Sequence, residues 1–211
     1  MTSIDSEAVA TATIAFYDTT AERWAREEEP LWADGITSQV RQQMTDDPLV
    51  IDIGCGFGRS IEVLRTLQVK RIIGVDASRG MLDMGRKLRP EIDFRLGNIC
   101  NLKEVVPETC DGFWCVAMLM QIPRAQVALA LENVRSVLRN GAVGFISTPY
   151  GTKTAIIDHT NRPDLVGEGQ QVLLELWTID ELEPLLTKAG FNIIEPTLEL
   201  DGMNLITVQA V

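Results

Sequence analysis

Between Leu49 and Leu67 the chain carries a pattern that leaves few folds open to it. Leu49-Val-Ile-Asp-Ile53 is apolar apart from Asp52, as a strand buried on both faces requires. Glycines follow at 54, 56 and 58, and beyond them Ile61, Val63, Leu64 and Leu67 fall on an amphipathic helical pattern. A strand, a glycine turn and a helix in that order form a cradle for a small ligand. Glycine lets backbone approach what is bound, and the first helical N–H groups face it. Arg71-Ile-Ile-Gly-Val-Asp76 then reads as a second short strand ending in an acid. A carboxylate at that tip of a βαβ unit can accept two ribose hydroxyls.

The rest of the chain extends the alternation. Ser78 is placed to cap a helix opening at Ala77-Ser-Arg-Gly-Met81, and Ile92–Leu96 reads as a third strand leading to Gly97-Asn98-Ile99. Asn101–Glu108 reads as a loop or short helix and Asp111–Val116 as a fourth strand. Pro123 opens a helix running to Arg139, with Asn140-Gly141 closing it, and Val143–Ser147 is the fifth strand. Pro149–Gly169 is polar and has no sustained period. Thr178 caps a helix to Ala189, with Asp180 and Glu181 at its positive end and Gly190 as its stop. Strands over Phe191–Pro196 and Asn204–Ala210 are joined by a turn at Asp201-Gly202. Strands alternating with helices predict an α/β fold with a parallel sheet covered on both faces.

Composition removes several classes of function. With 211 residues, 45% of them apolar, one substantial core is expected. No uninterrupted apolar stretch of about 18 residues occurs, so no membrane-spanning helix and no membrane partner are expected. Met1-Thr-Ser-Ile-Asp-Ser-Glu7 lacks the basic and apolar regions of a secretory leader, which predicts a cytoplasmic protein. Cys55, Cys100, Cys110 and Cys115 form no CxxC pair and there is one histidine, so no metal site is expected and reduced thiols are. With 19 basic against 30 acidic residues, the net charge is −11. Polyanion binding needs a cationic surface, so nucleic acid is not an expected partner. Oligomeric state is not legible.

The glycine spacing separates two kinds of cofactor cradle. The dinucleotide fingerprint is G-x-G-x-x-G. Here the third glycine comes one residue early, and an acid precedes the first by two positions. Asp52-Ile-Gly-Cys-Gly-Phe-Gly58 resembles the first motif of class I S-adenosylmethionine-dependent methyltransferases. Two further stretches carry the resemblance. Val137-Leu-Arg-Asn-Gly-Ala-Val143 is similar to the family's L-x-P-G-G entry to strand five. Trp177–Phe191 is similar to the T-x-x-E-L-x-x-L-L-x-x-A-G-F helix of small-molecule members. Ala15-Phe-Tyr-Asp-Thr-Thr-Ala-Glu-Arg-Trp-Ala25 resembles the F-Y-D-x-x-A-x-x-Y/W segment that covers cofactor and substrate in such enzymes, and Glu27-Glu-Glu-Pro30 is expected to end its helix. Ser147-Thr-Pro-Tyr150 has one proline and follows the fifth strand, so it is not taken as the S/D/N-P-P-Y/F/W motif of nucleic-acid amino-methylating enzymes.

The resemblance implies a seven-stranded Rossmann-like sheet of order 3-2-1-4-5-7-6, with strand 7 antiparallel. It also implies a helical lid over residues 1–48 and a cofactor-binding core over 49–211. The implied cofactor is S-adenosylmethionine, and the implied reaction is methyl transfer to an oxygen or nitrogen of a small molecule. A protein- or peptide-methylating enzyme and a non-catalytic cofactor-binding module are the alternatives. Gly54, Gly56 and Gly58 then pass under the methionine moiety, and Asp52 engages its ammonium directly or through water, or else caps the glycine turn. Asp76, with Ala77 beside it, holds the ribose, and Asn98 and Ile99 meet the adenine, Asn98 standing where the family usually has Asp. Met81 covers an adenine face or packs in the core. Arg59 holds the methionine carboxylate or Asp18, or else is a solvated arginine, with Tyr17 and Arg23 as rival carboxylate partners, and the Ala117-Met118 backbone meets the methionine amino group.

At the acceptor side, Gln121 stands where relatives often carry a histidine. A glutamine orients a hydroxyl but cannot act as a base. His159, the one histidine, is therefore the candidate general base, set against the reading of a surface histidine in a loop. Asp158 is a weaker candidate for the same role. Tyr150 and Trp177 are expected to line an apolar acceptor pocket or simply to pack.

Overall fold

The computed structural model describes residues 5–26, 36–194, 198–200 and 202–211. Helices α1 (Ser6–Arg26) and α2 (Ile36–Gln43) precede a core that alternates strand and helix. Its first half runs β1 (Leu49–Ile53), α3 (Ser60–Thr66), β2 (Arg71–Asp76), α4 (Arg79–Leu88) and β3 (Asp93–Leu96). A 3₁₀ turn at Ile99–Asn101 leads into α5 (Leu102–Val105) and β4 (Cys110–Val116). A second turn at Leu119–Gln121 leads into α6 (Arg124–Ser136) and β5 (Leu138–Pro149). The chain ends with β6 (Thr154–Asp158), β7 (Gln171–Glu175), α7 (Ile179–Lys188), β8 (Phe191–Ile193), β9 (Leu198–Leu200) and β10 (Met203–Ala210).

The main sheet runs β3-β2-β1-β4-β5-β10-β8, with β9 paired to β10. Strands β1 to β5 pair in parallel, and β10 is antiparallel to both β5 and β8. With β8 and β10 counted as the sixth and seventh core strands, this is the expected 3-2-1-4-5-7-6 arrangement. The side-chain period of two divides the core. Ile51, Ile53, Phe113 and Cys115 face one side, packed against Leu131 and Val134 of α6 and Leu182 and Leu186 of α7. Val50, Trp114 and Phe145 face the other, against Val40 of α2 and Ile61 and Leu64 of α3. Both faces are covered, which is why all five residues of β1 are buried.

Two readings of the sequence are corrected here. Asn140-Gly141 does not close α6, which ends at Ser136. It forms instead the irregular start of β5, where pairing to β4 jumps from Cys110↔Leu138 to Gly112↔Val143 and Gly141 takes φ +76°. A glycine at positive φ serves a bulge as well as a helix cap. The polar segment after β5 is not irregular throughout, because β6 and β7 form an antiparallel pair. Every residue of β6 is half-buried, so no in-out alternation marks it in sequence. The pair is held from outside: Phe16 of α1 packs on Val166 and Val172, and Leu173 N–H donates to Thr13 Oγ1. Buried Glu175 accepts from Thr154 and pairs with Arg124 of α6, whose guanidinium lies 4.0 Å from the Trp177 ring centroid. The expected helix end at Glu27–Pro30, and Asp201 of the expected turn, lie outside the described residues. At the C-terminus β8 stops at Ile193, and β9 is an added edge strand.

Candidate active site

The ends of β1, β2 and β4 open into a cavity of about 340 Å³ roofed by α1. Its floor is the glycine turn. Gly54, Gly56 and Gly58 take φ of +70°, +55° and +91°, a region that L side chains rarely occupy. Gly54 N–H and Cys55 N–H both donate to Val75 O, which ties the turn to β2. A Cβ at Gly54 would overlap the Met118 side chain, whereas one at Gly56 would meet only Met81 Sδ at 3.9 Å. Gly54 and Gly56 line the cavity. Gly58 lies outside that lining and is buried, with Ile61, Phe94 and Arg89 within 3.2 Å of where its Cβ would be. The third glycine serves packing of the turn, so its expected place under the ligand is corrected.

Asp76 ends β2 with its carboxylate in the cavity. Oδ2 accepts from Gly56 N–H at 2.8 Å and Oδ1 from Ser78 N–H at 2.8 Å. A carboxylate has about four lone-pair positions, so each oxygen keeps room for a ligand hydroxyl. Burial raises its pKa against the lowering effect of those backbone bonds. Asp52 is 1% exposed and lies outside the cavity lining, and its Oδ2 has no hydrogen-bond partner among the described residues. Burial, and then the charge of Asp76, push its pKa up to about 8, so the carboxyl is held largely protonated at neutral pH.

Helix α1 is fastened across this floor. Asp18 Oδ1 accepts from Ser78 Oγ at 2.8 Å and from Gly80 N–H at 2.9 Å, where α4 begins. Ser78 Oγ in turn accepts from Met81 N–H, the expected N-cap. Met81 is buried and lines the cavity, packed with Ala21 of α1 and Phe57 of the glycine turn. From the same face of α1, the Tyr17 hydroxyl oxygen accepts from Gln121 Nε2 after β4. Burial, partly offset by the Gln121 bond and reinforced by the Asp76 charge, pushes the Tyr17 pKa up to about 12, which keeps its proton on. Ala117, at φ +53°, turns the chain out of β4 with its N–H donating to Ser147. A non-glycine residue in that region is uncommon and concentrates at functional sites.

Of the residues expected from sequence, Tyr17, Gly54, Gly56, Arg59, Asp76, Ala77, Met81, Asn98, Ile99, Ala117 and Gln121 converge on this cavity. Asn98 differs in detail: its Oδ1 already accepts from Cys100 N–H at 2.9 Å, as the cap of the following turn. Besides Asp52 and Gly58, four others are not brought there. Arg23 donates to the carbonyls of Leu165 and Asp164 in the connection between β6 and β7. His159 is exposed at the start of that connection, with Nδ1 3.1 Å from Val166 O. Tyr150 is 46% exposed and bridges to Trp177, which is itself buried. Asp158 turns its carboxylate to the backbone N–H groups of Thr160 and Asn161. The β6–β7 pairing carries His159 and Asp158 away from the cavity, so neither is in place to take a proton there. Sequence reasoning missed the Thr13, Ile14, Trp24, Met120 and Gln126 lining. Of these, only the F-Y-D-x-x-A-x-x-Y/W segment, which contains Trp24, carried a signal.

The fit of this lining to an adenosyl sulfonium cofactor can be tested on the structure. The turn has left-handed glycines where protein backbone can approach a ligand, a carboxylate with spare acceptor capacity at the tip of β2, and a buried carboxyl oxygen of Asp52 without a partner among the described residues. Among the described lining residues Arg59 and Asp76 alone carry formal charge, both at this end. The donor set fits a zwitterionic nucleoside.

Comparison with known proteins agrees. Residues 50–141 match the family model described as a methyltransferase domain. An O-methyltransferase of Pyrenophora dematioidea is 22% identical over 187 residues, spanning 82% of this chain and 67% of that protein. A SAM-dependent methyltransferase from Methanosarcina mazei superposes with a TM-score of 0.70 at 18% identity, over 86% of this chain and 99% of its own. The DhpI–SAH complex superposes with a TM-score of 0.72 at 16% identity, over 96% and 97%. Residues 50–141 thus match a methyltransferase-domain model, and the sheet order is the fold shared with these S-adenosylmethionine-dependent methyltransferase structures.

Proposed function

We propose that the chain transfers the methyl group of S-adenosylmethionine to an oxygen atom of a small molecule bound beneath α1. The observation that carries this reading is one continuous cavity with its formal charge at the glycine turn and an apolar far end between α1 and the exit of β4. The O-methyltransferase relative supports oxygen as the nucleophile. When bound, the cofactor supplies an electrophilic methyl group on a positively charged sulfur.

The residues supply position. Asp76 holds the ribose hydroxyls through charge-assisted hydrogen bonds, which are stronger than neutral ones. Gly54 and Gly56 admit the methionine moiety, Arg59 takes its carboxylate, and the Ala117 backbone faces its amino group. Met81 and Ile99 enclose the adenine, with Asn98 at its edge. Tyr17 and Gln121 reach the acceptor end. In-line displacement depends on alignment of nucleophile, carbon and leaving group, and holding them in register accounts for much of such a rate enhancement. Roofing by α1 limits the water around the reacting atoms, which would weaken the field there.

Incubation with methyl-radiolabelled S-adenosylmethionine and fractionated small-molecule extracts tests the reading. Label is expected in an extractable product that is stable as a methyl ether. Label appearing only in added peptides would overturn the small-molecule assignment, and no transfer with intact cofactor binding would overturn the catalytic one.

A further inference from the structure

The far end of the cavity carries information about the acceptor that the cofactor end does not. Its apolar wall is Ile14 of α1 with Met118, Met120 and Ile122 beyond β4. The polar groups in its lining are neutral: the Thr13 hydroxyl, already bonded to Val9 O and Leu173 N–H, the Tyr17 hydroxyl, the Gln121 amide and the Gln126 amide, whose Nε2 donates to Glu7 outside the lining. No Asp, Glu, Lys, Arg or His stands among the described residues of that end. An acceptor bearing a carboxylate or an ammonium would lose its hydration there without gaining a counter-charge from the lining. Methionine side chains are polarizable and fit flat, apolar bodies well.

The Tyr17–Gln121 pair defines what such a body presents. Gln121 Nε2 donates to the Tyr17 oxygen. The Tyr17 proton and Gln121 Oε1 are left for a ligand, one donor and one acceptor side by side. A hydroxyl group satisfies both at once, donating to Oε1 and accepting from the tyrosine. Tyr17 keeps its proton, and His159 and Asp158 lie elsewhere, so the oxygen must become nucleophilic through its own acidity. A phenolic hydroxyl, with an ordinary pKa of about 10, comes far closer to that condition than an aliphatic alcohol.

We propose that the acceptor is an uncharged, flat, apolar molecule with a phenolic hydroxyl, selected and oriented by the Tyr17–Gln121 pair. This rests on the methyltransferase reading above. The proton leaves the phenol for solvent, the oxygen lone pair forms the new O–CH₃ bond, and the S–CH₃ bonding pair returns to sulfur as a neutral thioether. The pair acts as a specificity determinant, since it exchanges no proton with the reacting oxygen.

The test uses the full chain saturated with S-adenosylhomocysteine and titrated calorimetrically with three naphthalenes of one shape, bearing a hydroxyl, a carboxylate or an aminomethyl group. The hydroxyl compound is expected to bind at least tenfold tighter than the other two, and Gln121→Leu is expected to remove most of that preference while S-adenosylhomocysteine affinity is kept. Equal or tighter binding of the carboxylate or ammonium compound overturns the proposal, as does failure of all three to bind. If Gln121→Leu fails to fold, the wild-type series decides alone. In a methyl-transfer assay with substituted phenols, the pH midpoint of kcat/KM should follow each phenol's own pKa; a midpoint common to all of them would show a protein base and refute the account. Loss of S-adenosylhomocysteine binding itself would refute the function, not this inference.

Discussion

Replacing Gly80 by alanine sets a local preference against a tertiary contact. Gly80 lies in the first turn of α4, where alanine favours a helix by about 1 kcal/mol over glycine. A Cβ there, however, would overlap the Asp18 carbonyl oxygen and lie 2.9 Å from the Asp18 carbonyl carbon and Cα. These are backbone atoms of α1, so the neighbour that must give way is the helix itself. Displacing α1 breaks the Asp18 carboxylate bonds to Ser78 Oγ and Gly80 N–H. Hydrogen bonds to charged groups contribute about 1.5–3 kcal/mol each, and the exposure of one of these bonds lowers the pair to about 3 kcal/mol in total. The helix gain is kept in both the docked and the open state of α1, so docking of α1 should weaken by about 3 kcal/mol, or roughly 150-fold in its opening equilibrium. Amide hydrogen exchange reads this directly, with faster exchange expected over 6–26 while β1 and β4 keep wild-type protection. Unchanged or slower exchange in α1, together with a raised melting temperature, would show that helix propensity wins and that the close approach at Asp18 is not what fastens the roof.

Two further outcomes follow from the floor of the cavity. Asp52 is held near pKa 8 when folded, against an ordinary value of about 3.9, so the native state binds the extra proton between those limits. Stability of the cofactor-free protein should therefore fall as pH rises from about 4 to about 8, by at most about 1.4 kcal/mol per pH unit from this group. Urea unfolding at three pH values is expected to show a flatter dependence for Asp52→Asn than for wild type; parallel lines would contradict the burial argument. Gly54→Ala must place a side chain at φ +70° against Met118. It is expected to lower the melting temperature and to weaken S-adenosylhomocysteine binding at least tenfold by calorimetry, and wild-type affinity would remove the turn from the site.

What was legible in the sequence was what neighbouring residues decide among themselves. The glycine turn, the Ser78 cap, the Thr178 cap and the strand alternation are local, and the structure has them where their signals lie. Spacing alone did not separate Gly54 and Gly56, which face the cavity, from Gly58, whose surroundings come from Phe94 and Arg89. Asn140-Gly141 carried a helix-end signal that a strand bulge uses equally. His159 drew notice for its chemistry, and its position was settled by a pairing of β6 with β7 that no period announces. The Tyr17–Gln121 contact joins residues 104 positions apart, and only the folded chain brings them together.

The proposed function places a nucleoside ribose at the tip of β2. Asp76→Ala removes that carboxylate and frees the Gly56 and Ser78 N–H groups it now accepts from. Losing charge-assisted bonds of about 1.5–3 kcal/mol each predicts a loss of affinity of about 100-fold or more. Calorimetric titration of S-adenosylhomocysteine into wild type and Asp76→Ala measures it: saturable one-site binding to the first and that loss in the second are expected. Equal affinity in the two proteins, or no binding to wild type, would contradict it.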